Sequence, residues 1–168
     1  MERILDVVVE TPGGSRQKFD WESETRSFRL NKIMPLGLGF PYDFGFIPGT
    51  CGGDGDPIDV MIISEFPTFT GCRIHVRLIG GVRILQQERD GSKVRNDRFF
   101  AVPEVSQLYA NVEELQQLPE GCLQQIQQFF ISYNEQAGKE LQILDQMDAE
   151  AACKLIRESL VDLKSKEL

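Results

Sequence analysis

Histidine is almost missing from this chain. Its 168 residues contain only His75, which removes most zinc chemistry, because zinc sites are assembled from histidine and cysteine. The four cysteines, Cys51, Cys72, Cys122 and Cys153, lie far apart and form no CxxC pair. That usage excludes a zinc ribbon or disulfide framework and fits the reduced thiols of a cytosolic protein. No apolar run approaches membrane-spanning length. The opening residues, Met1-Glu2-Arg3-Ile4-Leu5-Asp6, also lack the apolar stretch of a secretion signal, so a cytoplasmic location without a membrane partner is expected. Basic residues are in deficit, 18 Lys and Arg against 26 Asp and Glu for a net charge of −8. Such a balance disfavours nucleic acid and anionic membranes as partners. Repeats, linkers and low-complexity segments are absent. Gly37-Leu38-Gly39 lacks the spacing and following helix of a dinucleotide loop. His75 alternates with Arg73 and Arg77 on the polar face of a strand, which reads as a solvated histidine.

What is present has the size of one domain, residues 1–168, with an ordinary apolar content of 41%. The first hundred residues read as strands: Asp6 to Glu10, Lys18 to Trp21, Ser27 to Ile33, Val60 to Ile63, a pair of strands within Cys72 to Leu85, and Phe99 to Val102. Met34 to Gly49, rich in Gly, Pro and aromatics, reads as a packed irregular loop. Asp90-Gly91 marks a hairpin tip. After Pro103 the texture turns helical, with a short helix from Val112 to Leu118 behind Asn111. A longer one follows from Glu120 to Gln136, with Leu123, Ile126, Phe129, Phe130 and Tyr133 on one face. Asp148 then caps a last helix whose stripe is Ala151, Leu155, Leu160 and Leu163. Strands followed by helices give an α+β domain, its sheet a small curled or closed barrel flanked by two main helices.

The densest chemical signal is Asp54-Gly55-Asp56-Pro57-Ile58-Asp59, three carboxylates in six residues behind Gly52 and Gly53 and running into the apolar Val60-Met61-Ile62-Ile63. Carboxylates this close repel unless cations lie among them. Oxygen-only donors favour a hard divalent ion, magnesium or calcium. Asp59 stands at the edge of a buried strand, where a merely solvated turn has no need of charge. The EF-hand pattern is excluded, since Ile58 and Asp59 fall where that loop requires an oxygen ligand and a glycine.

Together with Glu10, Lys18, Asp20 and Phe40-Pro41-Tyr42-Asp43-Phe44-Gly45, the acidic segment resembles the soluble family I inorganic pyrophosphatases, with matching order and spacing from about residue 5 to 103. Phe129-Phe130 followed by Tyr133 extends the likeness into the helical part. The resemblance implies an OB-like barrel, Mg²⁺-dependent hydrolysis of pyrophosphate to two phosphates, and homo-oligomers, often hexamers in bacteria. It implies that Asp54 and Asp59 bind the metal sharing the nucleophilic water and that Asp56 accepts that water's proton. Glu10 would support a metal through water, and Asp20 and Asn96 stand at further acidic positions of the metal site. Lys18, Lys32, Arg98 and Tyr133 would face phosphate oxygens.

Several positions depart from the family pattern. Counting along the hairpin places Gln87 and Asn96 where two aspartates are expected, with Glu88 and Asp97 one step off the required face. Only a bulge would bring either carboxylate in. Phe44 and Phe40 replace tyrosines, Asn134 replaces a lysine, and Asp20, Lys32 and Arg98 keep charge but change reach. Three readings follow: a pyrophosphatase with weakened metal binding that takes Mg²⁺ or Mn²⁺, a hydrolase of another phosphoanhydride or phosphoester, or a non-catalytic paralogue that binds phosphate, pyrophosphate or a protein partner.

Overall fold

The β-branched run around Val7 and Val9 forms strand β1 (Ile4–Thr11), with those two valines buried and their neighbours turned the other way. The computed structural model of the chain describes residues 3–160. β2 (Gln17–Glu22) and β3 (Ser27–Ile33) pair only with each other. Next come β4 (Asp43–Ile47), β5 (Ile58–Ile62), β6 (Arg73–Gln87), β7 (Lys93–Arg95) and β8 (Arg98–Pro103). Helix α1 (Cys122–Gln136), strand β9 (Glu140–Met147) and helix α2 (Ala149–Glu158) complete the order.

Strand pairing runs β1–β4–β5–β8–β6 and returns to β1, so five strands close into a ring, parallel only between β5 and β8. Closure removes the free edges that would otherwise invite aggregation. Val7, Val9, Val60, Val76, Leu78 and Ala101 share one apolar cluster inside the ring, joined by Ala152, Cys153 and Ile156 of α2. The opposite face of the same strands, with Phe44, Met61, Val82 and Phe100, packs beneath Ile126, Phe129 and Phe130 of α1. Close approach between β1 and β4 requires Gly45, where a Cβ would lie 2.0 Å from the Val8 carbonyl oxygen.

The curled barrel with two helices is therefore as expected, whereas several elements differ. β4 occupies the middle of the segment read as irregular loop. The span Cys72 to Leu85 holds one long strand rather than two, β6 starting at Arg73 and running on to Gln87. A bulge at Ile79, between the Leu78–Ala101 and Gly80–Phe100 pairs, turns that strand from the ring interior to its outer face. The short helix at 112–118 shrinks to a single 3-10 turn, Leu115–Gln117, preceded by Glu114 in place of Asn111. β9 was not anticipated, although Leu141 and Ile143 alternate with polar neighbours. Asp148 does cap α2, accepting from the Ala151 N–H at 2.8 Å. The buried stripe of α2 is Ala149, Ala152, Cys153 and Ile156, with Ala151 and Leu155 at its edge. Leu160 is 58% exposed, and Leu163 lies outside the described residues. No helix among the described residues is long and apolar enough to cross a membrane.

Candidate active site

The acidic segment is pinned at both ends by Thr50. Its hydroxyl donates to the Ile47 carbonyl at 2.6 Å and accepts from the Ile58 N–H at 2.9 Å, tying the loop to β4 and β5. Inside the loop, the Gly52 N–H donates to the Asp56 carbonyl (2.7 Å) and the Asp56 N–H to Asp54 Oδ1 (3.0 Å). Gly55 takes φ +87°, a conformation that side chains other than hydrogen resist. The result leaves Asp54 and Asp56 exposed at the tip, while Asp59 sits part-buried on β5.

All ten candidate residues line one cavity of about 630 Å³: Glu10, Lys18, Asp20, Lys32, Asp54, Asp56, Asp59, Asn96, Arg98 and Tyr133. They come from β1, β2, β3, the acidic loop, β5, the β7–β8 junction, β8 and α1. Glu10 Oε2 accepts from the Trp21 N–H at 2.7 Å. Lys18 pairs with Asp20, which also accepts from Asn31. The Lys32 ammonium lies 4.4 Å from the centre of the Tyr133 ring.

The hairpin wall corrects the expected register. Val82 and Ile84 face α1, and the period-two alternation continues to Gln86 and then Glu88, both of which line the cavity. Gln87 points to the opposite face, beside Leu85, Lys93 and Glu140. Glu88 thus enters the site, but its carboxylate is 3.1 Å from Lys139, so its charge is matched. Asp97 stays outside, bound to Arg95 and to the Ile84 N–H. Between these sides a continuous polar chain crosses the wall. Gln86 Nε2 donates to Glu88 (2.7 Å), Asn96 Nδ2 to Gln86 Oε1 (3.0 Å), and Arg98 to Asn96 Oδ1 (2.5 Å). Arg98 ends the chain 2.6 Å from Asp59 Oδ2. Phe44 is buried against Phe40, with ring centres 5.4 Å apart, and Asn134 is turned into its own helix, donating to the Phe130 carbonyl. Sequence reading missed Lys139 and Gln86. Lys139 restores a cation five residues after Asn134, a compensation visible only once α1 ends and β9 begins.

Charge is under tension along the acidic wall. Burial, with lesser repulsion from Asp59 and Asp20, pushes the Glu10 carboxyl up to about 7. Asp56 is raised by burial and by Asp54, and Asp59 by burial against the pull of Arg98. Burial opposes the charge of Lys18, but Tyr133, Asp20 and Glu10 outweigh it and raise the ammonium. Lys32 is lowered by burial and by Lys18. Unneutralised, oxygen-only donors of this kind fit one hard divalent cation. No three His, Cys, Asp or Glu side chains among the described residues already converge on a point that could hold one, so Asp54 and Asp56 would have to draw in around it.

Carboxylates interleaved with ammonium and guanidinium groups in one cavity, at the face of a closed five-stranded barrel, define a site for a small phosphate anion taken up with a cation. The family model for inorganic pyrophosphatase matches residues 7–164. The inorganic pyrophosphatase of a Nostoc species is 34% identical over 94% of this chain and 90% of its own length. That of Halalkalibacterium halodurans is 32% identical over 96% of each. The crystal structure of an inorganic pyrophosphatase from Neisseria gonorrhoeae superposes with a TM-score of 0.85 at 31% identity, over 94% of this chain and 90% of the other. The chain belongs to the soluble family I inorganic pyrophosphatases, a family that is metal-dependent in general.

Proposed function

We propose that this protein hydrolyses inorganic pyrophosphate to two phosphates with the help of a divalent cation, Mg²⁺ or Mn²⁺, and that its one domain works in the cytoplasm as a homo-oligomer, a hexamer by likeness to its family. The observation that carries this reading is the meeting of all ten candidate residues, acids and bases together, in one cavity. Asp54, Asp56 and the free oxygen of Asp59 would hold the cation. When bound, it would screen the substrate's charge and acidify a water molecule.

The chain's own residues divide the remaining work. The Asp56 carboxylate, raised by burial and by Asp54, is suited to accept a proton at its oxygen, since a general base works best when its pKa is lifted toward the working pH. Lys18, Lys32 and Arg98 offer positive charge to phosphate oxygens, and the Tyr133 hydroxyl can donate to one. Preplaced in this way, they stabilise charge that builds on the departing phosphate. Glu10, above its ordinary range, holds a proton or supports the cation through water. Exposed Phe66, Phe69, Val105 and Leu108 are the apolar side chains that suit a subunit contact; sedimentation velocity tests the assembly.

The amide-rich hairpin wall favours, as a second reading, a chain that binds pyrophosphate without turning it over. Phosphate release with Mg²⁺ and Mn²⁺ titrated separately separates the two. We expect turnover that falls by about 10²–10⁴ in Asp56→Asn. Native activity no higher than that of the variant, with either metal, leaves only the binding reading.

A further inference from the structure

Arg98 is the most confined cation in the cavity. It is 6% exposed, its guanidinium carbon lies 5.3 Å and 5.8 Å from the ring centres of Phe130 and Phe44, and its Nε is buried without a hydrogen-bond partner. The two rings touch each other, with centres 5.8 Å apart, and together back the guanidinium; that contact and the buried Nε leave it little freedom to swing away. Its Nη1 is taken up by Asn96 Oδ1 and Asp59 Oδ2. A guanidinium cannot be deprotonated in a protein, so this charge is permanent.

The neighbouring oxygens are weak ligands, neutral or already engaged. An amide can ligate a cation only through its carbonyl oxygen. Asn96 Oδ1 already accepts from Arg98, and Gln86 Oε1 already accepts from Asn96. Glu88, the one carboxylate on this wall, is matched by Lys139. A divalent ion seated here would meet neutral, engaged oxygens and a fixed positive charge, and like charges at such range repel strongly in a part-buried site.

We propose that Arg98 is a resident cation of this site: held against the paired rings of Phe44 and Phe130, it neutralises Asp59 Oδ2 from the hairpin side in place of a divalent ion, so that each chain takes one tightly bound divalent ion at the acidic loop. The proposal rests on the metal-assisted reading above and specifies how many ions that reading needs. It also gives Phe44 a task that a tyrosine would serve less well, since a buried hydroxyl would demand a partner of its own. Asn96 becomes a positioning residue for the guanidinium.

The test is a count of bound Mn²⁺, with the free ion followed by electron paramagnetic resonance as the intact protein is titrated, which requires no turnover. We expect one tight ion per native chain. In Arg98→Met, which keeps a side chain packed against the Phe44 and Phe130 rings while freeing Asp59, we expect a second ion per chain or at least tenfold tighter binding of the first. Two or more tight ions per native chain overturn the proposal whether or not the variant folds. A folded variant with unchanged number and affinity overturns it too, and absence of Mn²⁺ binding in both proteins removes it together with the metal-assisted reading. One tight ion in a native protein that does not release phosphate would sink the catalytic reading and support this one.

Discussion

At Glu10 the needs of the site and of the fold oppose each other. Its carboxyl is lifted from 4.5 to about 7 chiefly because burial strips it of water. A carboxyl whose folded pKa lies above its unfolded one contributes stability that is complete below the unfolded value and lost as pH rises through the folded value. For Glu10 that window is pH 4.5 to 7, and the loss is at most about 3 kcal/mol. Glu10→Gln keeps an acceptor for the Trp21 N–H and removes the charge. In metal-free protein at pH 8 the variant should be more stable than the native chain by about 1–3 kcal/mol, with the difference gone at pH 4. Urea unfolding at the two pH values measures it; a variant less stable at pH 8 would show that the charge is already neutralised in the folded state. The same variant should turn over pyrophosphate more slowly, a cost often attached to relieving strain at a site. Most of the site could be placed residue by residue through the family resemblance, because the aspartates of the acidic segment, Lys18 and Tyr133 stand where that pattern puts them, and all of them line the cavity. The hairpin was not. Whether Gln86 or Gln87 faces the cavity depends on strand phase, which is fixed by Val82 and Ile84 packing under α1 rather than by anything local to the glutamines.

Among the elements, the β1–β4 contact makes the sharpest demand on sequence. Gly45 pairs with Val9, and a Cβ there would lie 2.0 Å from the Val8 oxygen and 2.8 Å from the Val8 carbonyl carbon, both backbone atoms that no rotamer change can move. Gly45→Ala should therefore destabilise by more than about 3 kcal/mol, beyond the usual range for overpacking. Gly91→Ala, at the hairpin tip with φ +86° and open space around it, should cost only the left-handed penalty of about 1–2 kcal/mol. Urea midpoints of the two variants give the comparison, and equal costs would mean that the strands can part without penalty. The element reading succeeded where one local signal prevailed, as at the Asp148 cap or the alternation of Arg73, His75 and Arg77 on the polar face of β6. It failed where tertiary pairing decided. β4 is a glycine- and phenylalanine-rich strand held by neighbours on both sides. The bulge at Ile79 let one long strand read as two, and β9 exists because β6 offers it an edge.

For the whole molecule, a net charge of −8 and a carboxylate wall left under tension predict a fold that is completed by cations. A ligand that binds only the native state stabilises it by mass action, by about 2.7 kcal/mol at a hundred times its dissociation constant. For a chain of this length that corresponds to a rise in Tm of roughly 5–11 °C. Sodium chloride at matched ionic strength screens surface repulsion but cannot draw Asp54 and Asp56 together, so its effect should be much smaller. Binding energies are reciprocal: if the cation prepares the site for a polyanion, the polyanion must tighten the cation by the same factor. A non-hydrolysable bisphosphonate should accordingly raise Tm well beyond Mg²⁺ alone when both are present, and should do little by itself, because it must then approach an acidic molecule with only Lys18, Lys32, Arg98 and Lys139 to receive it. Thermal unfolding with each ligand and with both measures these shifts. A bisphosphonate shift of the same size with and without Mg²⁺ would mean that the basic wall binds phosphate independently of the acidic loop, and the two walls would then be separate sites rather than halves of one.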